Sequence, residues 1–179
     1  MIINQLSSNG NVRVEGGEGS VTIKDSNLRS FHKIGHNLSI INCKFSGDYG
    51  SDSNDYNTTV FRSTFSYANF GSKNISIGYS KFRFIKARGK EGAQFNFIGN
   101  EIDRQNQEGY GLRIENDGFK FLIANNHIHN IKWEYNWTEE IGIWVDGSGH
   151  QGIIQNNLIK MNYGGNARAN DSDAIRIAG

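Results

Sequence analysis

The sequence predicts an all-β protein, built as a right-handed single-stranded parallel β-helix of about seven coils. Two observations predict it: a short apolar motif that recurs along the chain, and a small or amide side chain at one fixed place in that motif. The chain has 179 residues and no proline, and this length favours a single domain. We expect residues 1–179 to form one β-helix, with an N-terminal capping region at 1–20 and coils over 21–179.

The recurring motif reads apolar, any residue, apolar, two further residues, small or Asn, any residue, apolar. Alternation of apolar residues with a period of two predicts short strands. One copy cannot bury its own apolar face, so we expect stacked copies to share a continuous core. The seven copies start at Val21, Leu38, Thr58, Ile75, Phe95, Phe121 and Gly152.

The sixth position of the motif predicts an internal ladder of small polar side chains. We expect this position to lie at an inward-facing turn, because Asn tolerates left-handed backbone and can bond its copy one coil away. The only cysteine is interpreted as a buried member of the ladder, and a lone cysteine excludes an intramolecular disulfide framework. The ladder residues are Ser26, Cys43, Ser63, Ser80, Asn100, Asn126 and Asn157.

A second repeat in the C-terminal half predicts a second type of strand in each coil. Its copies are Gly111–Glu115, Gly142–Asp146 and Ala174–Ala178. The spacing between copies of the first repeat varies from 17 to 31 residues. A left-handed hexapeptide solenoid needs strict multiples of six residues, so this irregular spacing favours the right-handed form.

Four longer segments follow the last apolar position of the first repeat. Insertions at the same point of successive coils emerge on the same side of a solenoid. We expect them to wall a groove over the outer face of the second strand type, and such loops often carry function. The segments are Gly47–Asn57, Arg104–Gly109, Lys132–Glu140 and Asn162–Ser172.

Two runs of residues resemble a known group of proteins. Asn125-Asn126-His127-Ile128 and Asn156-Asn157-Leu158-Ile159, each after an Ile-rich strand, resemble the right-handed parallel β-helix superfamily. That group includes pectate-lyase-like lyases, polygalacturonase-like hydrolases, alginate epimerases and phage tailspikes. The resemblance covers about residues 20–179 and implies the fold and a polysaccharide partner. It assigns no catalytic residue, because the catalytic signature of no single family is present.

Alternation in the second repeat predicts two outward rows of side chains. Arg113, Trp144 and Arg176 form one row, and Glu115 and Asp146 form the next, with coils about 4.8 Å apart. Arginine binds carboxylates and tryptophan offers a platform for a sugar ring. Two adjacent carboxylates can divide acid and base work between them, and a separation of about 5 Å suits a retaining glycosidase.

The predicted catalytic residues are therefore Glu115 and Asp146 as acid, base or metal ligands, with Arg113 and Arg176 holding carboxylates or developing charge. The same carboxylates with Asp171 or Asp173 could instead hold Ca²⁺, which takes 6–8 oxygen ligands. Structural alternatives remain open: an Arg–Trp row that packs on itself, and carboxylates neutralised by that row. The predicted substrate-binding residues are Trp144, Trp137, Tyr135, Glu140, His150 and Asp173.

The predicted function is binding and cleavage of an acidic polysaccharide, by a lyase or by a hydrolase. The alternatives are a structural or adhesive module, trimeric if it is a tailspike, and a sugar-binding β-helix without catalysis. The last strand has no visible cap, which favours a fragment or an end covered by a partner. The resemblance implies an extracellular, cell-surface or virion location, although no signal peptide is visible at the start. A net charge of +1 and the lack of a long apolar run indicate neither a nucleic-acid nor a membrane partner.

Overall fold

The computed structural model describes residues 1–15, 19–33, 35, 37–52, 56–107, 109–132, 140–162 and 172–178. All pairings between the strands of these residues are parallel, as a β-helix requires. The strands are β1 Ile2–Asn4, β2 Ser7–Val14, β3 Ser20–Lys24, β4 Asn27–Lys33, β5 Asn37–Ile41, β6 Lys44–Asp52, β7 Asn57–Phe61, β8 Thr64–Gly71, β9 Asn74–Gly78, β10 Lys81–Arg88, β11 Gln94–Ile98, β12 Glu101–Gln107, β13 Tyr110–Glu115, β14 Lys120–Ala124, β15 His127–Lys132, β16 Glu140–Asp146, β17 Gln151–Gln155, β18 Leu158–Asn162 and β19 Ser172–Ala178.

The described strands form two sheets, which we call sheet 1 and sheet 2. Sheet 1 has eight strands in the order β1-β3-β5-β7-β9-β11-β14-β17, one from each coil. The first repeat therefore continues into the region assigned to the cap, because β1 pairs with β3 in register from Ile2 and Thr22 onward. The described chain has eight coils where the sequence predicted about seven.

Sheet 2 divides into two arms at β10, and we call this division the fork. Lys81 and Phe82 at the start of β10 pair with β12, whereas Ile85 to Arg88 pair with β13. One arm then continues as β12-β15-β18 and the other as β13-β16-β19. The second repeat is the β13-β16-β19 arm.

The first residue of the second repeat is small because the two arms meet there. A Cβ atom on Gly142 would lie 2.5 Å from the carbonyl oxygen of Ala174 and 2.6 Å from Cγ2 of Ile159. A Cβ atom on Gly111 would lie 2.8 Å from Cγ2 of Ile128. Glycine is thus required by the close approach of neighbouring coils.

The predicted ladder is confirmed, and its hydrogen bonds run from coil to coil. Asn126 illustrates it: its Oδ1 accepts from the backbone N of Asn100 at 2.8 Å, and its Nδ2 donates to Oδ1 of Asn157 at 2.8 Å. The ladder residue itself does not adopt the left-handed conformation, which is a correction to the sequence analysis. The preceding residue does so in every coil: Gln5, Asp25, Asn42, Arg62, Tyr79, Gly99, Asn125 and Asn156 all have a positive φ.

The core between the sheets follows the predicted alternation. Leu112, Ile114, Ile143 and Val145 are all fully buried, and Phe45, Phe65 and Phe82 stack in neighbouring coils with centroids 4.7 Å and 5.1 Å apart. Ile175 and Ile177 continue the inward rows but are 45% and 68% exposed, since β19 is the last described strand of its arm.

One predicted loop is wrong. Residues 47–52 of the segment Gly47–Asn57 belong to β6, which pairs with β8 as far as Asp52 and Gly71. The error arose because Gly, Asp and Ser in this run look like turn residues, yet Tyr49 is fully buried and anchors the strand. A second predicted loop is also mostly wrong, because residues 104–107 of the segment Arg104–Gly109 belong to β12. The remaining two segments fall between β15 and β16 and between β18 and β19.

Candidate functional site

The predicted outward row lies on the outer face of the β13-β16-β19 arm. Arg113 pairs in register with Trp144, and Trp144 with Arg176. The row extends backward to Lys86, which is in register with Arg113. This lysine lies outside the copies of the second repeat, so the repeat did not predict it.

Trp144 is half-buried beneath the arginine of the previous coil. The guanidinium carbon of Arg113 lies 3.8 Å from the centroid of the indole ring, which is cation–π contact. The indole Nε1 is shielded from water and has no hydrogen-bond partner among the described residues. Arg113 thus occupies part of the ring surface on which the sequence analysis expected a sugar to stack.

Glu115 lies among three cations. Its Oε1 accepts from Nζ of Lys86 at 2.7 Å and lies 3.1 Å from Nη1 of Arg113, and its Oε2 accepts from Nε of Arg88 at 2.6 Å. Desolvation is the largest single influence on this carboxyl and raises its pKa. The hydrogen bonds from Lys86 and Arg88 and the nearby charges outweigh it, so the pKa of Glu115 lies below its ordinary value.

Arg113 joins the two predicted catalytic carboxylates. While its Nη1 lies beside Glu115, its Nη2 donates to Oδ2 of Asp146 at 2.5 Å. Both carboxylates are therefore compensated by cations of the chain. Their oxygens face guanidinium and ammonium groups, an arrangement that does not suit Ca²⁺, and no group of three or more described His, Cys, Asp or Glu residues is placed to hold a metal ion.

The remaining predicted residues are dispersed. Nε of Arg176 donates to Oδ2 of Asp173 at 2.6 Å within β19, two coils from Arg113. Glu140 starts β16 and is 1% exposed. Nδ1 of His150 accepts a hydrogen bond from the backbone N of Phe119 at 3.2 Å, which is a structural contact. Tyr135, Trp137 and Asp171 lie outside the described residues.

A row of four aromatic side chains on this face was missed by the sequence analysis. Tyr67 and Phe84 lie 4.6 Å apart, Phe84 and Tyr110 4.6 Å, and Tyr110 and Trp144 5.9 Å, all between ring centroids. We call Tyr67, Phe84, Tyr110 and Trp144 the aromatic row; it crosses β8, β10, β13 and β16. In β10 the inward-facing residues Phe82 and Ile85 are three positions apart instead of two, so the alternation shifts and Phe84 lies outside the core cluster. This irregular spacing is the signal for the row in the sequence.

A cleft of about 450 Å³ opens beside the aromatic row. Tyr67, Phe84 and Tyr110 line it together with two cations, Arg83 and Arg104. The guanidinium carbon of Arg104 lies 5.6 Å from the centroid of Phe84. Gly109, with φ +95°, forms the turn that joins the arms at this point and also lines the cleft.

No protein-family model, curated protein or solved structure matches the chain. In the described part of the chain, no helix is long and apolar enough to span a membrane.

Proposed function

We propose that the protein binds an acidic polysaccharide across the outer face of sheet 2, with the polymer crossing the strands along the aromatic row. The aromatic row, flanked by Lys86, Arg104 and Arg113, is the observation that carries this proposal. Successive coils lie about 4.8 Å apart, so the aromatic row spans four coils. Tyr67 is exposed and Tyr110 and Trp144 are half-buried, whereas Phe84 is buried between Tyr67 and Tyr110.

The chemistry of the row suits a negatively charged sugar. Aromatic faces pack against the apolar faces of sugar rings, and tyrosine adds a hydroxyl for hydrogen bonding. Tyr67 is 37% exposed, so part of its side chain is accessible to a ligand. Arginine and lysine beside the rings supply charge-assisted hydrogen bonds to carboxylates or other anionic groups.

Binding is better supported than cleavage. A general acid for glycoside hydrolysis needs a raised pKa, whereas the surrounding cations keep Glu115 ionised. Asp146 is held by Arg113 in the same network. These contacts favour the sugar-binding β-helix without catalysis that the sequence analysis left open.

The test combines binding and turnover in one panel. Polygalacturonate, alginate and two neutral polysaccharides would be offered to the protein, and binding, unsaturated-product absorbance and new reducing ends would be recorded. We expect binding of the acidic polymers, weaker binding of the neutral ones and no product. Appearance of either product would restore the cleavage hypothesis, and equal affinity for neutral and acidic polymers would contradict the proposal.

A matched pair of tyrosine variants locates the binding surface. Tyr67→Ala removes an outer ring of the aromatic row, while Tyr79→Ala removes a 66% exposed ring that follows sheet 1. Since an aromatic contact contributes about 0.5–1.5 kcal/mol, the first variant should bind about two- to tenfold more weakly. The second should bind like the parent protein, and a loss in both would place the polymer elsewhere.

A further inference from the structure

Four cations on the outer face of sheet 2, around β13 and β16, are already neutralised by the chain. Each has a side-chain nitrogen within 3.1 Å of a carboxylate oxygen, and they are Lys86, Arg88, Arg113 and Arg176. An anionic ligand that bound there would compete with Glu115, Asp146 or Asp173 for its cation. A ligand carboxylate at these positions therefore replaces an existing ion pair and does not add one.

Two cations nearer the start of sheet 2 have no such partner. Arg29 on β4 and Lys44 on β6 make no ion pair and no side-chain hydrogen bond with any described residue. Both are exposed, so water solvates them in the free protein. A carboxylate that reached them would form new ion pairs without breaking one.

Arg29 and Lys44 line one pocket, with a volume of about 240 Å³. Three serines, two asparagines and a leucine complete its described lining, and we call it the serine pocket after Ser7, Ser8 and Ser46. None of these lining residues is acidic, so the two cations are not offset by a charge of the pocket itself. Serine hydroxyls and asparagine amides can donate further hydrogen bonds to a carboxylate.

The serine pocket adjoins the cleft beside the aromatic row. Ser46 lines both spaces, and β6 pairs with β8, the strand that carries Tyr67. The cleft contains Asp48, the register partner of Tyr67, whereas the serine pocket contains no carboxylate. A polymer on the aromatic row can therefore continue across β6 and place an anionic group where only positive charge is present.

We infer that the serine pocket is a subsite for a carboxylate of the polysaccharide, bound by Arg29 and Lys44. This subsite deepens the proposed function and rests on it. It extends the polymer from the aromatic row toward the N-terminal coils. The bound segment then spans six coils from β4 to β16, or about 24 Å at about 4.8 Å for each step between coils.

Polygalacturonate with free carboxylates and the same polymer with methyl-esterified carboxylates test the subsite. Esterification removes the negative charge and leaves the chain of sugar rings, so the free polymer should bind more tightly in calorimetry at constant ionic strength. Exposed ion pairs are individually weak, so we expect Arg29→Gln and Lys44→Gln each to weaken binding of the free polymer about two- to fivefold. The double variant should weaken it about tenfold and should bind the esterified polymer like the parent protein.

Matched variants separate the pocket from the overall charge of the protein. Lys120→Gln removes the same charge from an exposed position on sheet 1 and should leave binding unchanged. Arg29→Lys keeps the charge and should retain most of the affinity. Equal losses in Lys44→Gln and Lys120→Gln would overturn the inference, because only the net charge would then matter.

The outcomes distinguish this subsite from the proposed function. If the double variant binds free polygalacturonate like the parent protein while Tyr67→Ala binds it more weakly, the inference is overturned and the proposed function stands. An equal loss for the free and the esterified polymer also overturns the inference, since the carboxylate would not be the group recognised. If the parent protein binds no acidic polymer, both are overturned, and a loss confined to the free polymer supports both.

Discussion

Arg113 covers Trp144 with its guanidinium group, 3.8 Å from the ring centroid, and the two residues are register partners in adjacent coils. The same guanidinium reaches Glu115 and Asp146 through two different nitrogens. A planar group with donors in a fixed fork can stack flat on a ring while it donates in its plane to two carboxylates, whereas an ammonium group has no plane to stack.

The Arg113→Lys variant tests this planarity. We expect it to lower the free energy of unfolding by about 1–3 kcal/mol, because lysine can serve only part of the network and leaves a half-buried carboxylate less well compensated. Arg62→Lys is the control, since Arg62 makes an exposed stack on Phe61. Urea denaturation of both variants gives the comparison, and similar losses would mean that the Arg113 network adds nothing.

In the Glu115→Gln variant, the free energy of unfolding should depend less on pH in the acidic range. The pKa of Glu115 is lowered in the folded protein, so its contribution is present above the unfolded pKa of about 4.3 and is lost as the pH falls through the folded value. At pH 7 we expect the variant to be less stable by roughly 1–3 kcal/mol, between the ranges for exposed and buried pairs.

Denaturation at pH 7 and pH 3 measures the Glu115 effect. The gap between the parent protein and Glu115→Gln should narrow at pH 3, because the carboxyl is then increasingly protonated. Glu15→Gln is the control, as the Arg13–Glu15 pair is exposed on both sides. A gap that stays constant with pH would show that charge is not the cause.

Asn126→Ala should break the internal ladder at one step. The variant removes the acceptor for the buried backbone N of Asn100 and a donor to the carbonyl oxygen of Phe97, and a buried orphaned group costs about 1–3 kcal/mol. Asn96→Ala removes the same side chain from the outer face of sheet 1 and should change the melting temperature little. Equal shifts in both variants would contradict the ladder's role.

Gly142→Ala should destabilise the fork. The new methyl group would meet the carbonyl oxygen of Ala174 at 2.5 Å, and a backbone atom cannot yield as a flexible side chain can. We expect a loss of about 1–3 kcal/mol from overpacking. Gly10→Ala is the control, where the nearest atom is Oγ of Ser8 at 3.6 Å, and an unchanged melting temperature in both would mean that β16 and β19 lie further apart than described.

The sequence was sufficient for the features that hold a fixed position within a recurring motif. Ladder positions and the inward faces of β13 and β16 follow from alternation, and the structure confirms them at Asn126, Leu112 and Ile143. The first coil escaped notice because Ile2-Ile3-Asn4 is too short to display the whole motif. The ladder carries its left-handed residue one place earlier than expected, since that residue turns the chain so that the next can point inward.

The site was only partly predictable, because its neighbours come from strands without a shared motif. The Arg113, Trp144 and Arg176 row was found, since all three lie in copies of one repeat. Arg83 and Arg104 come from the paired strands β10 and β12 and line one cleft near the point where sheet 2 divides. No spacing along the sequence reveals that division.

At the fork, the segments that connect the two arms differ in length while the pairing of the strands stays the same. The segments that cross it lengthen from 108–109 to 133–139 to 163–171, while β12, β15 and β18 on one side and β13, β16 and β19 on the other remain paired. Residues can thus be added at this point without moving the ladder or either arm. The same property makes the fork a natural grafting position, where a foreign peptide inserted between β15 and β16 would be displayed from a rigid scaffold.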